Sequence, residues 1–227
     1  MLLHSPLVGP HTWDIVADCL RRAGRRVIVP SLAGVLEGRP PYYGALASAV
    51  ARSTSDSGPS ILVGHSGAGS LLPAATQAIR ATGGSCAATI FVDAILPHPG
   101  ASWMSTAPAA LQDKLSKLAQ SGRLPPWHQW LPPGVLERII TDAAQRSAFI
   151  ADLPSVPVQY LIEPAPAAAA LPPTRCGYLQ VSEAYSKEAN EAERMGWPVL
   201  RERLNHLAML THPQLVSDRL EQMVAGW

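Results

Sequence analysis

The stretch ILVGHSGAGS at residues 61–70 sets a serine, Ser66, among small residues behind an apolar run. A serine hydroxyl becomes an acyl-transfer nucleophile where a strand ends in a sharp turn and a helix starts at once. The side chain then stands clear of the sheet edge, and its neighbours must be small to let the chain pass close. The usual pattern is G-x-S-x-G. Gly64 lies two before the serine, Ala68 two after, and Gly67 and Gly69 flank that alanine, so the pattern is met in size though not in identity. The plainer alternative is a turn serine that caps the next helix.

Such a serine needs a base and an acid to orient it. Of the seven histidines, His206 is placed for the base, on a loop after the last strand-like run, WPVLRERL. His212 is a rival, but it precedes Pro213 in what reads as a helix start. His65 adjoins the serine and points elsewhere in a turn of this kind. His128 sits between Trp127 and Trp130, where it touches substrate or packs. Three carboxylates compete for the acid. Asp93 ends the run ATIFVD, directly after the serine helix. Glu183 follows GYLQVS, the next-to-last run, where the acid commonly stands; that threading puts Tyr185 near the acid's own position. Glu163 follows VQYLI. Asp93 ranks first, Glu183 second and Glu163 third. The order Ser66, Asp93, His206 agrees with the serine–acid–histidine order of the nucleophile-elbow scaffold.

These residues need a sheet to hold them. Strand-like runs fall at 1–4, 26–30 (RVIVP), 60–64 (SILVG), 88–93, 177–182 and 198–203. Helical patterns lie between them: one capped by Thr12 and stopped by Gly24, then 42–53, 67–82 with a bend at Pro73, 187–194 and 213–224. Continuously apolar strands alternating with helices predict an α/β fold with a mainly parallel sheet of about six strands, covered on both faces. The alternation breaks over 99–155. There Leu111, Leu115 and Leu118 mark one helix, and Leu136, Ile139, Ile140 and Ala143 another, so this is a helical insertion into a core of 1–98 and 156–227. Residues 156–162 read as extended, and 164–173 (PAPAAAALPP) as a linker that packs little.

Four motifs together resemble the α/β-hydrolase superfamily: GHSGAG at 64–69, FVDAILP at 91–97, NHLAMLTHP at 205–213 and HSPLVGPHTW at 4–13. The last is similar to the His-Gly-x-x-x-Gly-x-x-x-Trp opening of the small plant esterases and hydroxynitrile lyases. FVDAI resembles the haloalkane dehalogenase arrangement, with the acid after the strand that follows the nucleophile. The resemblance implies a helical lid, matched by 99–155, and no cofactor. It also implies that 1–4 takes the place of the third strand of larger members. An oxyanion hole is implied with one N–H from Gly67 and a second from the loop after His4. That second position is Pro6, which has no N–H, and Ser5 stands where glycine is usual. Leu7, through a shifted loop, or the Ser5 hydroxyl is then the second donor, or the reaction needs less oxyanion stabilisation.

Composition sets the outer bounds. The chain has 227 residues, 47% apolar and 15% charged, with a net charge of +1. Arg21, Arg22, Arg25 and Arg26 read as the basic end of a helix, and nothing points to nucleic acid. Three scattered cysteines argue against a disulfide framework or a zinc site. The glycines match neither a dinucleotide nor a P-loop pattern. No apolar run reaches 18 residues and the N-terminal stretch lacks a signal pattern, so a cytoplasmic protein with no membrane partner is expected. The expected activity is cofactor-independent hydrolysis of small to medium apolar esters, lactones or related acyl compounds, by a Ser66–His206–Asp93 triad through an acyl-enzyme. Trp103, Trp127, Trp130 and His128 are candidates to line the substrate pocket, the tryptophans alternatively packing the insertion. Lyase, cyclase or isomerase chemistry on the same scaffold is the alternative, and a non-enzymatic ligand binder ranks below both. The partner is a small-molecule substrate, with a homodimer left open.

Overall fold

In the computed structural model, which describes residues 1–54, 58–167 and 175–227, the described strands are β1 (Leu2–Leu3), β2 (Ser60–His65), β3 (Cys86–Val92), β4 (Arg123–Leu124), β5 (Val156–Pro157), β6 (Arg175–Gln180) and β7 (Val199–Arg201). Five form one parallel sheet in the order β1-β2-β3-β6-β7. β4 and β5 pair as a separate antiparallel ribbon. The helices are α1 (Asp14–Arg22), α2 (Tyr42–Arg52), α3 (Leu72–Ala81), α4 (Trp103–Thr106), α5 (Ala109–Leu118), α6 (Val135–Ile139), α7 (Ala143–Ala151), α8 (Val158–Ile162), α9 (Ser186–Arg194), α10 (Ala208–Thr211) and α11 (Pro213–Ala225).

The two-residue period of a strand sends alternate side chains to opposite faces. Leu2, Val63, Ile90, Val92 and Leu179 cluster with Val16 and Leu20 of α1 and with Val216 and Leu220 of α11. Their neighbours Leu3, Leu62, Phe91 and Tyr178 cluster with Leu46 and Val50 of α2 and with Leu72 and Ile79 of α3. Strands that are apolar at every position are therefore covered twice.

Several expected elements differ. Residues 26–30 form no strand; Leu2 N–H donates to Ile28 O at 2.9 Å, but a two-residue β1 is too short to extend a ladder. Val27 and Val29 still pack on the core. Thr12 is not the cap of α1: it lies inside a 3₁₀ turn, Pro10–Trp13, and its hydroxyl donates to Gly9 O. The helix expected over 67–82 is a 3₁₀ turn, Ser66–Leu71, followed by α3, with Pro73 in the first turn of α3, where a missing N–H costs nothing. Residues 156–162 are not continuously extended, since β5 passes straight into α8. Part of the 164–173 segment lies outside the described residues. Its described start is packed: Ala165 exchanges backbone hydrogen bonds with Gly100 and Ala101, and is 5% exposed.

Between β3 and β6, the helices α4 to α7 carry apolar faces in two directions. Leu115 joins the cluster built on α2 and α3. Leu136, Ile140 and Phe149 pack against Val8 on the loop after β1, Leu207 on the loop after β7, and Leu210 of α10.

Candidate active site

All five sheet strands deliver polar residues at their carboxyl ends. Ser5 follows β1, Ser66 follows β2, Asp93 follows β3, Ser182 and Tyr185 follow β6, and His206 follows β7. In an open parallel sheet that edge is where ligands are received.

Ser66 opens the 3₁₀ turn with φ 55°, a left-handed conformation that a non-glycine residue adopts only when its surroundings enforce it. The enforcement is local. A Cβ on Gly69 would stand 2.1 Å from Ile95 O, so the chain after the turn passes directly over the loop that leaves β3. Ile95 N–H closes the same contact by donating to Ser66 O at 3.2 Å. A Cβ on Gly64 would press on Leu72, and one on Gly67 would reach 2.8 Å from Ser5 Oγ. Ala68 is fully buried and fits. Glycine is thus demanded at 69, one place beyond the position in the usual pattern.

His206 Nδ1 lies 3.2 Å from Asp93 Oδ2. Asp93 is fully buried and is gripped by the end of β6: Val181 N–H and Ser182 N–H donate to Oδ1 at 2.7 and 3.1 Å, and the Ser182 hydroxyl donates to Oδ2 at 2.5 Å. Every lone pair that faces the protein is engaged, which removes the main cost of burying a carboxylate. With Nδ1 turned to Asp93, Nε2 of His206 is the nitrogen left to face a reacting group. His65 is fully enclosed beneath this pair. Its ring lies 4.5 Å from the His206 ring, and Nε2–H donates to His206 O at 3.0 Å. Burial, and secondarily the His206 ring, hold His65 well below the usual histidine pKa, so it stays neutral and supports the base without competing for protons.

Tyr185 is the residue whose place here sequence reasoning did not find. Its hydroxyl is 3.4 Å from Ser66 Oγ, and its ring stacks on His206 at 4.8 Å with 8° between planes. The one signal was its position in the threading of GYLQVSEAY, where an acid was sought.

The other expected residues are distributed as follows. Glu163 is turned away from this cluster: its carboxylate accepts Tyr42 N–H and Tyr43 N–H at 2.7 and 2.9 Å, capping α2. Glu183 is exposed and lines a polar hollow with Asn190 and Arg201. His212 is exposed and bonds Thr211. Leu7 N–H is engaged by Ser5 Oγ at 3.2 Å. His4, 1% exposed, donates from Nδ1 to Ser5 O and accepts Leu32 N–H at Nε2, which fixes both its tautomer and the loop. Trp127 meets the site, 6.3 Å from His206, and also packs edge-on with Phe149 at 6.4 Å. Trp130 is buried and donates to Pro125 O; Trp103 packs against the main core cluster. His128 is half-buried beside them, with Nδ1 unpaired. An apolar hollow of about 270 Å³ exists, but at the amino ends of β1 and β2, beside Met1 and Ser60, away from this chemistry. Among the described residues no group of three or more His, Cys, Asp or Glu is arranged to hold a metal ion, and no helix is long and apolar enough to cross a membrane.

A parallel sheet wrapped by helices, with a strained serine turn after a central strand and a histidine on a loop after the last, defines the α/β-hydrolase class. The family profile described as "Alpha/beta hydrolase family" matches residues 1–219, and the chain belongs to that family. It is an enzyme of the hydrolase type. Solved structures share the fold across nearly the whole chain. An extracellular α/β-hydrolase from a Paenibacillus species, described as sharing structural and functional homology with tobacco salicylic acid binding protein 2, is 20% identical, covering 98% of this chain and 97% of that one, with a TM-score of 0.76. Polyneuridine aldehyde esterase is 16% identical over 98% of each chain, TM-score 0.71. Tomato methylketone synthase I is 15% identical over 100% of this chain and 97% of that one, TM-score 0.71. No curated protein sequence matches the chain.

Proposed function

We propose that the protein is a cofactor-independent serine hydrolase of small to medium apolar esters, lactones or related acyl compounds. The observation that carries this reading is the His206–Asp93 contact at 3.2 Å, alongside a serine held in a left-handed turn on the adjoining strand. His206 Nε2 takes the Ser66 proton, Ser66 Oγ attacks the carbonyl, and the imidazolium formed is stabilised by Asp93. The leaving alcohol takes that proton, an ester of Ser66 remains, and water activated by His206 releases the acid. Gly67 N–H supplies one oxyanion donor. The Ser5 hydroxyl supplies the second. Its oxygen already accepts Leu7 N–H, so its own proton is free to point at the developing charge, in place of the N–H that Pro6 lacks. In this reading residues 99–155 act as the lid, with Trp127 on the substrate side and His128 within its reach.

Labelling with a fluorophosphonate, located by peptide mass spectrometry, tests the nucleophile. Modification at Ser66, abolished in Ser66→Ala, is expected. An unlabelled Ser66, under conditions that label a control hydrolase, overturns the reading. Pro6 favours one second reading, proton-transfer chemistry of the lyase or isomerase kind without an acyl-enzyme. It is supported if a panel of activated esters gives no turnover from folded protein.

A further inference from the structure

We propose that Tyr185 is a working part of the serine–histidine pair: its ring sets the plane of His206 and its hydroxyl holds the oxygen of Ser66. The inference rests on the hydrolase reading above and deepens it. The acid of this site sits on the loop after β3, which leaves the loop after β6 free of that duty. That loop does two things with its freedom. Ser182 clamps Asp93, and three residues later the Tyr185 ring lies flat on the imidazole.

Stacking within 8° at 4.8 Å blocks rotation of His206 about its side chain on one face, while the His65 ring, 4.5 Å away, stands against it as a second neighbour. The Nδ1 bond to Asp93 fixes one edge of the ring. A base held in this way keeps Nε2 aimed without any bond to the serine in the resting site. The serine needs separate restraint, and the Tyr185 hydroxyl is the side-chain partner it has, at 3.4 Å. That distance is long for two hydroxyls, as contacts in unliganded sites often are before they tighten. Burial, with the nearby Asp93 and Glu188 carboxylates adding to it, pushes the phenol up to about 12. The phenol therefore keeps its proton throughout the working range and has it available to donate; either hydroxyl could donate across this contact, and Tyr185 is assigned as the donor to Ser66 Oγ. This leaves the Ser66 proton for His206. A donor at that oxygen also eases the second half-reaction, when Oγ departs from the acyl group with its electron pair.

The test uses the whole chain and measures the rate constant of fluorophosphonate labelling per competent site, with the fraction of competent sites counted separately by active-site titration. Tyr185→Phe keeps the stack and removes the hydroxyl. Its rate per site is expected to fall about three- to tenfold, the effect of one modest hydrogen bond, with the unfolding midpoint unchanged. Tyr185→Ala also frees the imidazole and is expected to lose roughly a further tenfold, so that Phe restores the ring's share. A merely structural tyrosine would lower the competent fraction and leave the rate per site alone. Tyr185→Phe at the wild-type rate per site overturns the proposal while leaving Ser66 as nucleophile. A wild-type protein that is not labelled at Ser66 overturns both. Should Tyr185→Ala fail to fold, Tyr185→Phe still decides.

Discussion

Asp93 is held at φ 40° with four donors around one buried carboxylate. Two of the donors are backbone N–H groups and cannot be removed by mutation, so the charge and the bond to His206 can be tested apart. Asp93→Asn keeps the shape but presents an amide that cannot hold the imidazolium, and kcat is expected to fall by roughly 10³–10⁴. Ser182→Ala removes one donor to the same oxygen that meets His206. A drop of roughly fivefold in kcat, with KM unchanged, is expected in steady-state assays. That Ser66, Asp93 and His206 lie at one edge of the sheet is legible from chain position, because each follows a strand-like run and strand ends in a parallel sheet converge. Tyr185 was not readable as a partner of Ser66. A stack on an imidazole depends on how two loops from different strands cross, and no local pattern encodes that.

At the scale of elements, what differs from expectation is mostly a matter of what short segments lean on. Residues 26–30 have the β-branched composition of a buried strand and take its place beside β1, yet a two-residue neighbour cannot support a ladder. Helix α2, weak by composition, is held by a carboxylate from 120 residues away: Glu163 meets the two N-terminal amides, where it satisfies donors and complements the helix dipole. Its carboxylate was read as a candidate acid because the sequence offers no sign of the distant helix end. Glu163→Ala is expected to cost about 1 kcal/mol of stability, measured by urea unfolding, with activity retained where the protein remains folded. The serine turn makes the opposite demand. Gly69→Ala sets a methyl 2.1 Å from Ile95 O. The strain of overpacking, about 1–3 kcal/mol, is expected to lower the thermal midpoint and to shift the Ser66 turn enough to slow labelling.

Across the whole molecule, the fold class and the parallel sheet were legible because apolar strands alternating with helices admit few other architectures. The packing of α6 and α7 against Val8, Leu207 and Leu210 was not, since it joins segments far apart in the chain. One global property follows from burial at the centre. His4 and His65 are enclosed and have their pKa values lowered, mainly by loss of water. A folded pKa below the unfolded value means that the unfolded chain binds more protons. Their contribution to stability is therefore full above about pH 6.5 and is lost as pH falls toward the folded values. The N-terminal ammonium of Met1 is buried too and lowered to about 6, so its share is lost in the same direction from about pH 8 downward. Thermal scans are expected to give a midpoint that falls as pH drops from 8 to 5. The slope should reach up to about 1.4 kcal/mol per pH unit for each histidine.

The grip of β6 on Asp93 also has a kinetic meaning. The donors Val181 and Ser182 lie 88 and 89 residues beyond the acid they hold, and His206 lies 113 beyond it. A refolding chain can build the Ser66 turn early, from neighbours in sequence. It cannot orient its base until this long crossover has closed, and distant closures are slow to form. On the proposed reading, return of ester turnover during refolding becomes a clock for the docking of β6, and helical signal measured in the same experiment is expected to run ahead of it.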